Sequence, residues 1–270
     1  MLELRNVTKV FNPGTPNEVR AIEGVDLTLE EGAFVVIIGT NGSGKSTLLN
    51  AVAGTFLPDS GTISMDGTDI THWPEHRRAS LMGRVFQDPF TGTSPNLTIA
   101  ENLVLAARRG LPRWMGWALN RKAKDEIRAQ VQQLNMGLEH VIDNPIGSLS
   151  GGQRQALTLL MATWLKPRLL LLDEHTAALD PKSADQVIAL TDAVVTRDHL
   201  TTLMVTHSMH QAANLGDQLI MMHRGRIIQE FKGAEKRRTR VDDLLARFEE
   251  VRRADQLDET AAQMLERTYV

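Results

Sequence analysis

The strongest constraint on this chain is a continuous apolar run, Ala33 to Ile38, that leads straight into Gly39-Thr40-Asn41-Gly42-Ser43-Gly44-Lys45-Ser46-Thr47. Lying between the turn Glu30-Glu31-Gly32 and a glycine-rich loop, the run reads as a strand buried on both faces, with a helix predicted after the loop. The loop fits G-x-x-x-x-G-K-[ST] in the strand-then-helix setting that gives such a match meaning. Its glycines let successive backbone N–H groups turn inward and cradle phosphates at a helix N-terminus, where the helix dipole already favours negative charge. Lys45 is then placed to neutralise β and γ phosphates, and Ser46 to offer its hydroxyl to Mg²⁺. The plainer reading of the same residues is a glycine-rich turn with a chance lysine. Taken alone, the loop leaves open an ATPase, a GTPase or a small-molecule kinase.

The surrounding pattern is that of an open α/β sheet. Val25 to Leu29 alternates apolar and polar residues, and Gly61 to Ile70 reads as a hairpin turning at Asp66-Gly67. From about 88 to 165 the character is helical, with Ala100 to Arg109 and then Ile127, Val131, Leu134 and Leu138 at helical spacing. Pro167 stops the preceding helix, and Leu169 to Leu172 form a buried strand that ends at Asp173. Asp180-Pro181 is a helix cap followed by proline at the first helical position. A further strand, Leu203 to Thr206, ends at His207. Polar residues at the carboxyl ends of apolar strands are where open α/β sheets hold ligands. Leu149-Ser150-Gly151-Gly152-Gln153 precedes another helix and makes a second anion-binding nest, or simply a serine-capped helix start.

Composition narrows the function. With 270 residues, 23 % of them charged, and a net charge of -3, the chain has no basic footprint for nucleic acid. It contains no cysteine, so disulfides and thiolate metal sites are impossible. The N-terminus lacks a basic region followed by an apolar run, and the apolar stretches are far too short to cross a bilayer, so the chain is expected to be soluble and not secreted.

Over residues 2 to 230 the order and spacing of these motifs resemble the nucleotide-binding subunits of ABC transporters. The resemblance implies an α/β fold, a RecA-like P-loop NTPase core with an antiparallel β subdomain and a helical insertion bearing the signature motif. It implies a cassette over residues 1–232 and a C-terminal helical tail over 233–270, where Val241, Leu244, Leu245, Phe248 and Val251 form one apolar stripe. Ser150, Gly151, Gly152 and Gln153 resemble the signature that binds the γ phosphate held by a partner subunit, which implies a head-to-tail dimer with two ATP molecules at its interface. Asp173 resembles the magnesium-site aspartate, and Glu174 matches the general base that polarises the attacking water. Gln87 resembles the glutamine that touches Mg²⁺ and the water and senses the membrane partner. His207 matches the switch histidine, alone among the eight histidines in having such a setting. Phe11 occupies the place of an aromatic ring against adenine, with a core phenylalanine of the first strand as the other reading.

Phe86-Gln87-Asp88-Pro89 and Leu97 to Asn102 look most like the importer branch. His175 stands where many relatives have proline. It resembles a bacterial subset tied to amino-acid-type uptake with periplasmic binding proteins, and is read as a loop residue. The implied partners are transmembrane permease subunits and, through them, a periplasmic substrate-binding protein, with the chain peripheral on the cytoplasmic face of the inner membrane. An exporter is the nearer alternative. A non-transport ATPase acting on ribosomes or DNA is the other, and one cassette without sustained heptads argues against it. Trp114 and Trp117 lie in the insertion where the family docks its membrane partner, although packing within the insertion is the more economical reading.

Overall fold

The computed structural model describes residues 1–109, 119–251 and 253, so Trp114 and Trp117 lie outside the described residues. Ten strands and eight α-helices follow one another along the described chain up to Arg238. They run β1 (Leu2–Phe11), β2 (Val19–Leu29), β3 (Phe34–Gly39), α1 (Lys45–Ala53), β4 (Ser60–Met65), β5 (Thr68–Asp69), α2 (Glu75–Arg78), β6 (Met82–Val85) and α3 (Ile99–Ala107). Then follow α4 (Arg121–Gln132), α5 (Gly151–Thr163), β7 (Leu169–Asp173), α6 (Pro181–Asp198), β8 (Thr202–Val205), α7 (Met209–Asn214), β9 (Gln218–His223), β10 (Arg226–Lys232) and α8 (Gly233–Arg238). A further helical stretch covers 241–251.

Two sheets result. The first is antiparallel in the order β2-β1-β4-β5, and the second runs β10-β9-β3-β8-β7-β6. In the second sheet β6, β7, β8, β3 and β9 are parallel, and β10 pairs antiparallel at the edge. The apolar runs account for this arrangement. Successive side chains of a strand point to opposite faces, so a strand apolar at every position needs cover on both sides. Val35 and Ile37 of β3 enter one core together with Leu169 and Leu171 of β7, while Val36, Ile38, Leu170 and Leu172 enter the other. The first core lies against α1 and the antiparallel sheet, the second against α6 and α7. Burial of each such side chain contributes about 1.5–3 kcal/mol.

The expected hairpin turns at Asp66 and Gly67, both at positive φ. Where a helix was expected to carry on as far as Leu138, α4 stops at Gln132. Asn135 and Gly137 adopt positive φ, which an α-helix cannot continue through, and Leu138 falls in a short 3-10 turn. Ile127, Val131, Leu134 and Leu138 nevertheless share a third core with Ile99, Leu103 and Leu157. Among the described residues no helix is long and apolar enough to cross a membrane.

Candidate nucleotide site

The loop after β3 begins where the chain leaves the centre of the parallel sheet. Two of its glycines are sterically required. A Cβ on Gly39 would stand 2.3 Å from the Met222 carbonyl oxygen, and one on Gly44, at φ +97°, would stand 2.2 Å from that of Ala21. The loop can therefore pack against β9 and β2 only with bare backbone at these two positions.

Lys45, the first residue of α1, is 5 % exposed. Its Nζ donates to the carbonyls of Gly39 and Thr40, each at 3.0 Å, so the cation is folded into the concavity of its own loop. Burial lowers its pKa, while Glu174 and Asp173 pull it back up. Ser46 Oγ donates to Asp173 Oδ1 at 3.2 Å, which ties α1 to the end of β7.

Glu174 follows Asp173 directly and adopts φ +46°, a left-handed conformation uncommon for a residue with a side chain. Its N–H donates to the Val205 carbonyl at 3.0 Å, fixing it to the end of β8, and its Oε1 lies 2.5 Å from His207 Nε2. An open cleft of about 350 Å³ is lined by Asn41 to Thr47, Glu174, His207 and, at its outer edge, Phe11, Val19 and Ala21. Phe11 ends β1 half-buried and meets Phe56 edge-on at 5.4 Å, so it serves as packing and as cleft wall at once.

Gly39, Thr40 and Asp173 join this cleft through their bonds to Lys45 and Ser46 rather than as lining, whereas Gln87 and residues 150–153 stand apart from it. Gln87 is exposed just beyond β6 and is not part of its lining. Ser150 caps α5, with Gln153 N donating to Ser150 Oγ at 3.3 Å and Ser150 N donating to Gln153 Oε1 at 3.2 Å. Gly151 is exposed, and none of residues 150–153 lines the cleft. Residues 150–153 thus lie outside the cleft that their own chain's loop lines.

Sequence reading missed Arg84 and Gln155. Arg84 Nη2 donates to Asn50 Oδ1 at 2.5 Å and reaches Asp173 Oδ2 at 3.5 Å, while its guanidinium lies 4.4 Å from the centre of the Phe86 ring. Gln155, fully buried on α5, donates to the Phe86 carbonyl at 3.0 Å and so ties the signature helix to the residue before Gln87. The available signal was Gly83. A Cβ there would stand 2.3 Å from the Ala162 carbonyl, and a glycine inside a strand often marks such close backbone approach. Arg84 and Phe86 also line a groove of about 420 Å³ with Leu105, Ala106, Arg109 and Met161.

Residues 22–177 match the ABC transporter family. The chain is 43 % identical over 251 residues to the tyrosine transport ATP-binding protein of Clostridioides difficile, covering 92 % of this chain and 99 % of that one. It is 36 % identical over 211 residues to the sulfate/thiosulfate import ATP-binding protein CysA of Mycobacterium tuberculosis, covering 77 % of this chain and 56 % of that longer one. Among solved structures, a dimeric ATP-binding cassette in a post-hydrolysis state bound to ADP and Pi superposes with a TM-score of 0.73 at 28 % identity, over 86 % of this chain and 98 % of that one. With its phosphate loop, strand-end acids and separate signature helix in this arrangement, the chain belongs to the ABC transporter family of ATP-binding cassettes.

Proposed function

We infer that this chain is the ATP-hydrolysing subunit that powers a membrane importer of a small solute. The observation carrying the reading is the meeting of Lys45, Ser46, Asp173, Glu174 and His207 at the carboxyl ends of β3, β7 and β8. The loop Gly39 to Thr47 holds the phosphates of ATP, with Lys45 exchanging backbone carbonyls for phosphate oxygens, and Phe11 offers its ring to adenine. Ser46 and Asp173 already bring two hard oxygens to one place. That fits Mg²⁺, which takes one or two protein oxygens and draws its other ligands from phosphate and water. Among the described residues no cluster of three or more His, Asp or Glu forms a dedicated metal cage. The bound metal would neutralise charge on the transferred phosphoryl group.

Glu174 orients and polarises the attacking water, and His207 holds Glu174 while facing the γ phosphate. Gln87, exposed just beyond β6, would contribute its amide to the metal and the water. Ser150 to Gln153 act on the nucleotide of a second copy, which makes the working unit a head-to-tail dimer with two ATP molecules. The cassette is assigned to residues 1–232, with its helical part at about 88–165 and the tail at 233–270.

Separate permease subunits hold the chain at the cytoplasmic face of the inner membrane and meet it at the groove beside Phe86 and Leu105. The relatives named for tyrosine and sulfate/thiosulfate favour a small solute, an amino acid in the first place. Its delivery by a periplasmic binding protein is part of the proposal. Isolation of the membrane complex from its native cell tests this. A permease and a solute receptor are expected to co-purify, and the loaded receptor to stimulate ATP hydrolysis. Co-purification with ribosomes or DNA, or a complex that exports without a receptor, would overturn the reading.

A further inference from the structure

We propose that His175 is a positioning residue, whose buried hydrogen bond to Thr191 locks the turn carrying Glu174 onto α6. The proposal rests on the reading of Glu174 as the general base. His175 is 1 % exposed and Thr191 is fully buried. His175 Nε2 lies 3.0 Å from Thr191 Oγ1, and the Thr191 hydroxyl donates its one proton to the Val187 carbonyl at 2.8 Å. The hydroxyl oxygen therefore accepts, and Nε2 is the ring nitrogen that carries the hydrogen.

Three observations turn this bond into a device for catalysis. Glu174 holds a left-handed backbone, uncommon for a residue with a long side chain, which persists where the surrounding structure over-determines it. The two residues after it anchor the turn on opposite sides. His175 reaches α6, while Thr176 Oγ1 accepts from Gln211 Nε2 at 3.1 Å, and Gln211 Oε1 accepts from Thr206 Oγ1 at 2.6 Å beside His207. Finally, His175 Nδ1 is buried without a hydrogen-bond partner. An apolar ring of similar size would fill the same space with no orphaned nitrogen, so packing alone does not account for the imidazole. Its directional bond does.

The same helix reaches the signature. A Cβ on Gly152 would stand 2.8 Å from Ser183 Cβ, so the start of α5 rests against the first turn of α6. A shift of α6 that follows the signature is thereby passed through Thr191 and His175 to the base of the same chain.

The test uses the full-length chain under conditions where it dimerises. Thr191→Val keeps the volume and removes the acceptor, and His175→Phe fills the pocket without a donor. Each is expected to lower kcat roughly tenfold while KM and ATP affinity stay within about twofold. The double variant should be no slower than either single one, and His175→Gln, which keeps an N–H donor, should recover most of the rate. Wild-type turnover in Thr191→Val, multiplying losses in the double variant, or losses that track the unfolding temperature would overturn the tether. Glu174→Gln in the same assay separates the two ideas. If it is inactive while Thr191→Val is fully active, the tether alone falls, whereas full activity of Glu174→Gln removes the base and the tether together.

Discussion

Glu174 Oε1 and His207 Nε2 lie 2.5 Å apart, joining the ends of the neighbouring strands β7 and β8 across the mouth of the phosphate cleft. The imidazole thus holds the carboxylate that faces the cleft. Replacing Glu174 by Gln keeps the shape and removes the proposed base. The expected outcome is near-complete loss of ATP turnover, with nucleotide binding retained and an ATP-stabilised dimer accumulating. Single-turnover hydrolysis combined with size-exclusion chromatography in ATP reads both. Normal hydrolysis would remove Glu174 from the role.

Lys45 carries a different part of the chemistry. Its Nζ lies inside the loop, held by two carbonyls, and under the proposed reading it exchanges them for the phosphates of ATP. Lys45→Ala is expected to weaken ATP binding by about tenfold to a hundredfold, the worth of one or more charge-assisted hydrogen bonds. Calorimetric titration measures it directly, and an unchanged Kd would contradict the phosphate assignment.

How legible these features were in the sequence depended on how local their physics is. The phosphate loop is spelled out by consecutive residues, because its function is a backbone shape that glycines alone permit. The central strands were legible because burial on both faces leaves only apolar residues. β6 was not, since four residues containing Gly83 and Arg84 carry no periodic pattern. What makes it a strand is its pairing with β7, which sets Arg84 opposite Leu171 and brings it to Asp173. His175 does sit in a turn, as its sequence setting suggested, but its burial comes from α6, sixteen residues away at Thr191. Contacts of that range leave no local trace.

His175 also makes a pH signature. Burial pushes its pKa from the ordinary 6.5 down to about 4, so on acidification the unfolded chain takes up this proton before the folded one does. Stability is therefore fully present above 6.5 and falls as pH drops toward 4, by roughly 3 kcal/mol in all. His175→Gln lacks the titrating ring. Urea unfolding compared between about pH 7 and about pH 4.5 should show wild type losing more stability than the variant by most of that amount. Parallel losses in the two proteins would show that the ring is not buried as described.

The tail offers a test of packing. Its apolar stripe can be a helix docked on its own chain or a surface kept for another molecule, and the two differ in what truncation costs. Leu244 is fully buried in the core that includes Leu215 and Phe231, with Phe248 packed alongside, whereas Leu245 is 46 % exposed. Leu244→Ala is expected to cost about 2–4 kcal/mol through lost burial and a residual cavity. Leu245→Ala, one position along the same helix, should stay within about 0.5 kcal/mol. Urea unfolding of the two variants separates the cases. A docked helix gives this asymmetry, while near-equal small effects would mean that the stripe contributes nothing to the fold of its own chain.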